Sequence, residues 1–137
     1  MVFEHCAFNV PDAAAAAAWY VQHLGFHVVR AVDGPPHTRF LADETGRMVL
    51  EIYTNRNASI PDYHQQHWLV VHLAVVSRAA DADRARLEAA GATLATIDEL
   101  PDGSRLIMVR DPWGICVQLC QRTHAMPRGG TAAPLQE

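Results

Sequence analysis

The sequence predicts an α+β protein made of one βαβββ unit written twice. Three observations carry this. The alternation of β-rich and helix-rich stretches runs through the same order in both halves. Each half has one alanine-rich helical stretch stopped by a glycine, Gly25 and Gly91, 66 residues apart. Polar residues interrupt apolar strands at matching places: His72 follows His5 by 67 residues, Gln118 follows Glu51 by 67, and Arg105 follows Arg39 by 66.

In the first half, "FEHCAFNV" (3–10) reads as a strand broken by Pro11. Asp12 is placed to cap a helix over 13–24, six alanines followed by "WYVQHL". "FHVVRAVD" (26–33) is β-rich and "GPP" is a turn. "TRFLAD" and "RMVLEIYT" follow as two strands joined through "ETG". Residues 55–67, polar and aperiodic, form a linker between the modules 1–54 and 68–122. In the second half, "WLVVHLAVV" is a strand, 79–90 a helix and "ATLATIDEL" a strand. "RLIMVR" and "GICVQLCQR" then form a hairpin through the turn residues "DPWG". Residues 123–137 lack periodicity and read as a loose tail.

Composition narrows the function. The chain has 137 residues, 50% hydrophobic and 19% charged, with a formal charge of −4, a balance that offers no basic face to nucleic acid or an anionic membrane. All eleven basic residues are arginine, so lysine Schiff-base chemistry is excluded. No apolar run reaches the ~20 residues a membrane helix needs. Three cysteines, Cys6, Cys116 and Cys120, and no targeting pattern lead us to expect a reducing, cytoplasmic location.

The polar interruptions suggest chemistry. A buried carboxylate is costly unless paired or bound to a metal. Two imidazoles (His5, His72) and one carboxylate (Glu51) suit a divalent ion, with the Gln118 amide oxygen as a weaker fourth donor. Hydrogen-bonded structural histidines are the alternative. Tyr53 shares a strand face with Glu51, and Cys116 and Cys120 flank Gln118 on its own face, so these three line the same cavity if that face is the cavity. Arg39 and Arg105 offer either anchors for an anionic substrate or surface ion pairs.

The stretches "EHCAFNVPD", "WYVQHLGF", "MVLEIY", "VHLAVVS", "RLEAAGA" and "RDPWGICVQL" together resemble the vicinal oxygen chelate superfamily, which includes glyoxalase I, bleomycin resistance proteins and extradiol dioxygenases. The resemblance spans residues 3–122. It implies two tandem βαβββ modules curling into an open mixed-sheet barrel, assembled as a homodimer. It also implies metal ligands on the first and last strand of each module, here His5, Glu51, His72 and Gln118. The expected cofactor is Ni, Zn, Co, Mn or Fe, and the expected partner is a small oxygen-rich substrate chelated through two neighbouring oxygens, by lyase/isomerase or dioxygenase chemistry.

One departure stands out. Enzymes of this family place a carboxylate on the final strand as proton-transfer base, where this chain has Gln118. An amide cannot take a proton near neutral pH. Pseudo-symmetry makes Glu51 the candidate catalytic base instead. The alternative the resemblance offers is a metal-free sequestering protein like the bleomycin resistance proteins, which lack the ligand histidines and line their cavity with aromatics.

Overall fold

The first helix is set by the residues at its two ends. Asp12 adopts extended backbone (φ −141°) and its carboxylate accepts the Ala15 N–H at 2.9 Å, satisfying a donor that the helix leaves open. Gly25 ends the helix in the left-handed conformation, φ 72°, where a side chain would be strained. Between them lies α1, Ala13–Leu24, which buries Ala13, Ala16, Ala17, Trp19 and Tyr20.

The computed structural model describes residues 2–126. Module one runs β1 (Cys6–Asn9), α1, β2 (His27–Ala31), β3 (Arg39–Ala42) and β4 (Met48–Tyr53). Module two repeats it as β5 (His72–Val76), α2 (Ala80–Ala89), β6 (Thr93–Glu99), β7 (Arg105–Arg110) and β8 (Cys116–Gln121). Each module forms a four-stranded mixed sheet, in the orders β1-β4-β3-β2 and β5-β8-β7-β6. The first strand pairs parallel with the last, and the other pairs are antiparallel. The sheets stay separate and do not close into a barrel. The duplication extends to irregularities: the ladder shifts between Val28 and Arg30, and again 66 residues later between Leu94 and Thr96.

Some boundaries are tighter than the apolar runs suggest. β5 begins at His72 rather than Trp68, because Val70 donates to the His67 carbonyl in a turn that leaves Leu69 and Val70 exposed. β1 begins at Cys6, opposite Leu50. Within the linker, Tyr63–Gln65 form a 3₁₀ turn. Of the expected tail, 127–137 lie outside the described residues.

Pleating sends alternate residues to opposite faces. Phe8, Val10, Leu41, Leu50 and Ile52 in module one, and Ile107, Val109, Val117 and Leu119 in module two, point toward the helices and form one buried cluster with Tyr20 and Leu87. Polar contacts then join the modules. The Trp19 indole donates to the Ala90 carbonyl at 2.9 Å, and Arg86 donates to the His23 carbonyl at 2.6 Å. At the centre the Tyr20 hydroxyl donates to Asp111 Oδ2 at 2.7 Å. Asp111 is 1% exposed, and its other oxygen accepts the Trp113 and Ile115 N–H groups. Burial pushes its carboxyl up to about 6, although those three hydrogen bonds pull the other way. Burial and Asp111 hold the Tyr20 phenol protonated, well above its ordinary range. The linker is clamped to module two by Arg110, which donates to the carbonyls of Tyr63, Gln66 and Gly114.

Candidate functional site

The face of each sheet turned away from its helix carries the candidate residues. In module one, strand register places Arg30, Phe40, Glu51 and Ala7 in one row across β2, β3, β4 and β1. In module two, Thr96, Met108, Gln118 and Ala74 form the matching row across β6, β7, β8 and β5. His5 stands just before β1, and His72 opens β5 in register with Cys116.

His5 is tightly surrounded. Its Nε2 lies 3.2 Å from Glu51 Oε2, and its ring packs edge-on against Phe40 with centroids 5.6 Å apart. Its Nδ1 is buried and makes no hydrogen bond, although the Glu4 carboxylate lies 3.0 Å away. His72 Nδ1 is likewise buried and unpartnered. Such orphaned nitrogens cost free energy where nothing else binds them. Tyr53 is half-buried, two residues along β4 from Glu51 and on its face.

Gln118, half-buried, accepts a contact from Cys120 Sγ through Oε1 at 3.4 Å. Cys116 and Cys120 flank it and are buried, and all three cysteines are free. Burial pushes both thiols up, away from the thiolate that metals prefer.

Arg39 and Arg105 are engaged elsewhere. Arg39 donates to the Val32 and Thr38 carbonyls and pairs with Asp33. Arg105 pairs with Asp81 of α2 and with Glu99. Register puts Arg39 in phase with Leu41, and Arg105 with Ile107 and Val109, on the helix-bearing faces. These two therefore leave the open faces, because nearby carboxylates claim them. An open-face cation missed in the sequence is Arg30, whose guanidinium carbon sits 5.8 Å from the Phe40 ring centre. Nothing in the sequence signals it, since its face depends on the ladder shift after Val28.

Within the described residues of one chain, no group of three or more His, Cys, Asp or Glu is placed to hold a metal ion. The donors instead form two half-sets, His5 with Glu51 on one sheet and His72 with Gln118 on the other. A cavity of about 720 Å³ opens beside the start of α1 between Pro36, His37 and Arg56, and none of the four donors lines it. No helix among the described residues is long and apolar enough to cross a membrane.

The sequence profile of the Glyoxalase/Bleomycin resistance protein/Dioxygenase superfamily matches residues 2–119. The chain belongs to this superfamily. No curated protein sequence matches it significantly. Three solved structures are similar to this chain along most of their length. TnmS3, an antibiotic binding protein from Streptomyces sp. CB03234, is 22% identical with a TM-score of 0.67, over 90% of this chain and 97% of that one. A lactoylglutathione lyase from Agrobacterium tumefaciens is 22% identical with a TM-score of 0.59, over 87% and 92%. A glyoxalase-related enzyme from Fulvimarina pelagi is 22% identical with a TM-score of 0.64, over 88% and 87%. At these identities the likeness shows the shared fold.

Proposed function

We propose that the protein is a metal-dependent enzyme of glyoxalase type acting on a small oxygen-rich substrate, as a homodimer. The carrying observation is the pair of histidines at the starts of equivalent strands, each with a buried Nδ1 that makes no hydrogen bond, and His5 with its Nε2 3.2 Å from the Glu51 carboxylate. His5 and Glu51 supply half of a ligand set for a divalent ion, and His72 and Gln118 supply the other half, so the donors fit a metal once the half-sets meet. A second copy can bring them together. β1 and β5, which carry or adjoin the histidines, each pair on one side only. Exposed apolar residues flank them: Val2 (93%), Phe3 (63%), Leu69 (67%), Val70 (70%) and Val76 (90%).

A bound divalent ion supplies Lewis acidity toward two neighbouring oxygens of the substrate. The chain's own residues do the rest. Glu51 is the open-face carboxylate beside a candidate ligand, placed to hold or move a proton, and His5 at 3.2 Å keeps it oriented. Gln118 accepts or donates hydrogen bonds but takes no proton. Proton transfer in this reading is assigned to Glu51 of module one, the carboxylate in contact with a candidate ligand.

The test is elemental analysis of untagged protein with gel filtration beside it. The expected result is roughly one equivalent of Ni, Zn, Co, Mn or Fe per chain in a dimer, lost in His5→Ala and in His72→Ala but kept in His64→Ala. Metal retained in the His5/His72 double variant would sink the assignment. A second reading, a metal-free binding protein, is favoured by the amide at Gln118, and the similar fold of TnmS3 supports it. Absence of metal after reconstitution with each of the five ions would select it.

A further inference from the structure

The two open-face rows match in position but not in chemistry. Module two offers Thr96, Met108, Gln118 and Ala74, all uncharged. Module one offers Arg30, Phe40, Glu51 and Ala7, and so ends in a cation. Arg30 is exposed, and among the described residues no carboxylate lies within ion-pair distance of it. Its guanidinium carbon lies over the Phe40 ring, 5.8 Å from the ring centre, within cation–π range. Phe40 in turn packs against His5, so one aromatic ring links the arginine to the His5–Glu51 pair.

We infer that Arg30 is a specificity-determining residue that receives an anionic oxygen group, carboxylate or phosphate, on the substrate. A guanidinium with no carboxylate partner keeps its planar fork of N–H donors available, and that fork matches the oxygens of a carboxylate or phosphate. Arg30 and Glu51 lie two strands apart in one row, roughly 10 Å between Cα atoms at ordinary strand spacing. The substrate therefore carries its anionic group within that reach of the oxygens near Glu51, with an apolar middle covering Phe40. Module two's open face also carries Arg110, in register with Cys116, but its guanidinium is spent on the carbonyls of Tyr63, Gln66 and Gly114, so Arg30 is the open-face cation left to attract the anion. The placement relative to chelated oxygens rests on the metal-enzyme reading above, while the anion site itself does not.

The experiment separates these. Metal-free protein is titrated with octanoate, octyl phosphate and neutral octanamide. We expect at least one of the two anions to bind roughly tenfold tighter than octanamide, and the better anion identifies the group. In Arg30→Met that preference disappears while octanamide binding and the oligomeric state stay as in the wild type, and Arg30→Lys restores part of it. An unchanged preference in Arg30→Met, no preference in the wild type, or loss of the oligomer in Arg30→Met overturns the proposal. Zinc-loaded protein is then titrated with octanohydroxamate and with suberic acid monohydroxamate, which adds a carboxylate at the far end of the same chain. The carboxylate should add roughly tenfold affinity that Arg30→Met abolishes. If zinc adds nothing to octanohydroxamate binding, the metal reading fails, and the metal-free titrations still decide Arg30.

Discussion

Asp111 joins the two modules, and its titration should be visible in the stability of the whole chain. Its carboxyl is raised from 3.8 to about 6 because it is buried between α1 and the β7–β8 turn. Tyr20, Tyr63, Cys116 and His64 are the titratable groups around it. The folded state thus binds the proton more tightly than the unfolded chain. Stability from the neutral carboxyl is fully present below pH ~4 and is lost as pH rises through about 6. A shift of about two units is worth roughly 3 kcal/mol over that window, of which about 2.5 kcal/mol falls between pH 4 and pH 7. Asp43, Asp83 and Asp102 run the opposite way, since hydrogen bonds and ion pairs lower them. The total profile therefore mixes signs, and a substitution is needed to isolate Asp111. Asp111→Asn keeps an oxygen for the Trp113 and Ile115 N–H groups and an amide for the Tyr20 hydroxyl, but cannot titrate. Urea unfolding of both proteins from pH 4 to 7.5 gives the comparison. The wild type should gain about 2.5 kcal/mol relative to Asp111→Asn as pH falls from 7 to 4. Parallel profiles would refute the reasoning, and a difference of the opposite sign would mean that hydrogen bonding outweighs burial.

Two further outcomes follow from the backbone. Gly114 has φ 89°, and a Cβ there would meet the His64 backbone nitrogen at 2.5 Å, so Gly114→Ala must both strain the turn and lift the linker. It should cost about 3 kcal/mol or more in urea unfolding, whereas Gly46→Ala, with φ 80° but open space around it, should cost about 1 kcal/mol. Equal costs would mean that the linker yields freely. Asp12→Ala removes the cap on Ala15 N–H and should cost about 1 kcal/mol, while Asp12→Asn should cost a few tenths, read by thermal melting.

Local patterns in this chain were legible because they depend on neighbours in sequence. The cap at Asp12, the stop at Gly25, and the strands β3 and β7 rest on propensity, alternation and turn chemistry within a few residues. The duplication was legible for the same reason, as repeated local patterns at offsets of 66 and 67 residues. The alternation that puts Gln118 between Cys116 and Cys120 on one face holds in the structure because strand period is fixed at two. Apolarity alone misjudged the start of β5, where a turn outcompetes the run "WLVV".

The sequence by itself determined the element order, the two modules and the candidate donors His5, Glu51, His72 and Gln118. Tertiary structure decided what those donors and the arginines meet. Arg39 and Arg105 were drawn to Asp33, Asp81 and Glu99, contacts that depend on which face each strand end takes. Arg30 reached the open face through a ladder shift, one residue of slippage that no periodicity announces. The Tyr20–Asp111 bond spans 91 residues of sequence, and its raised carboxyl comes from burial by elements distant along the chain. Separation of the donors into two half-sets is likewise a property of how two sheets pack. Each pattern along a strand or helix is set by local geometry, but which faces meet is set by the burial of both modules' apolar sides in one core.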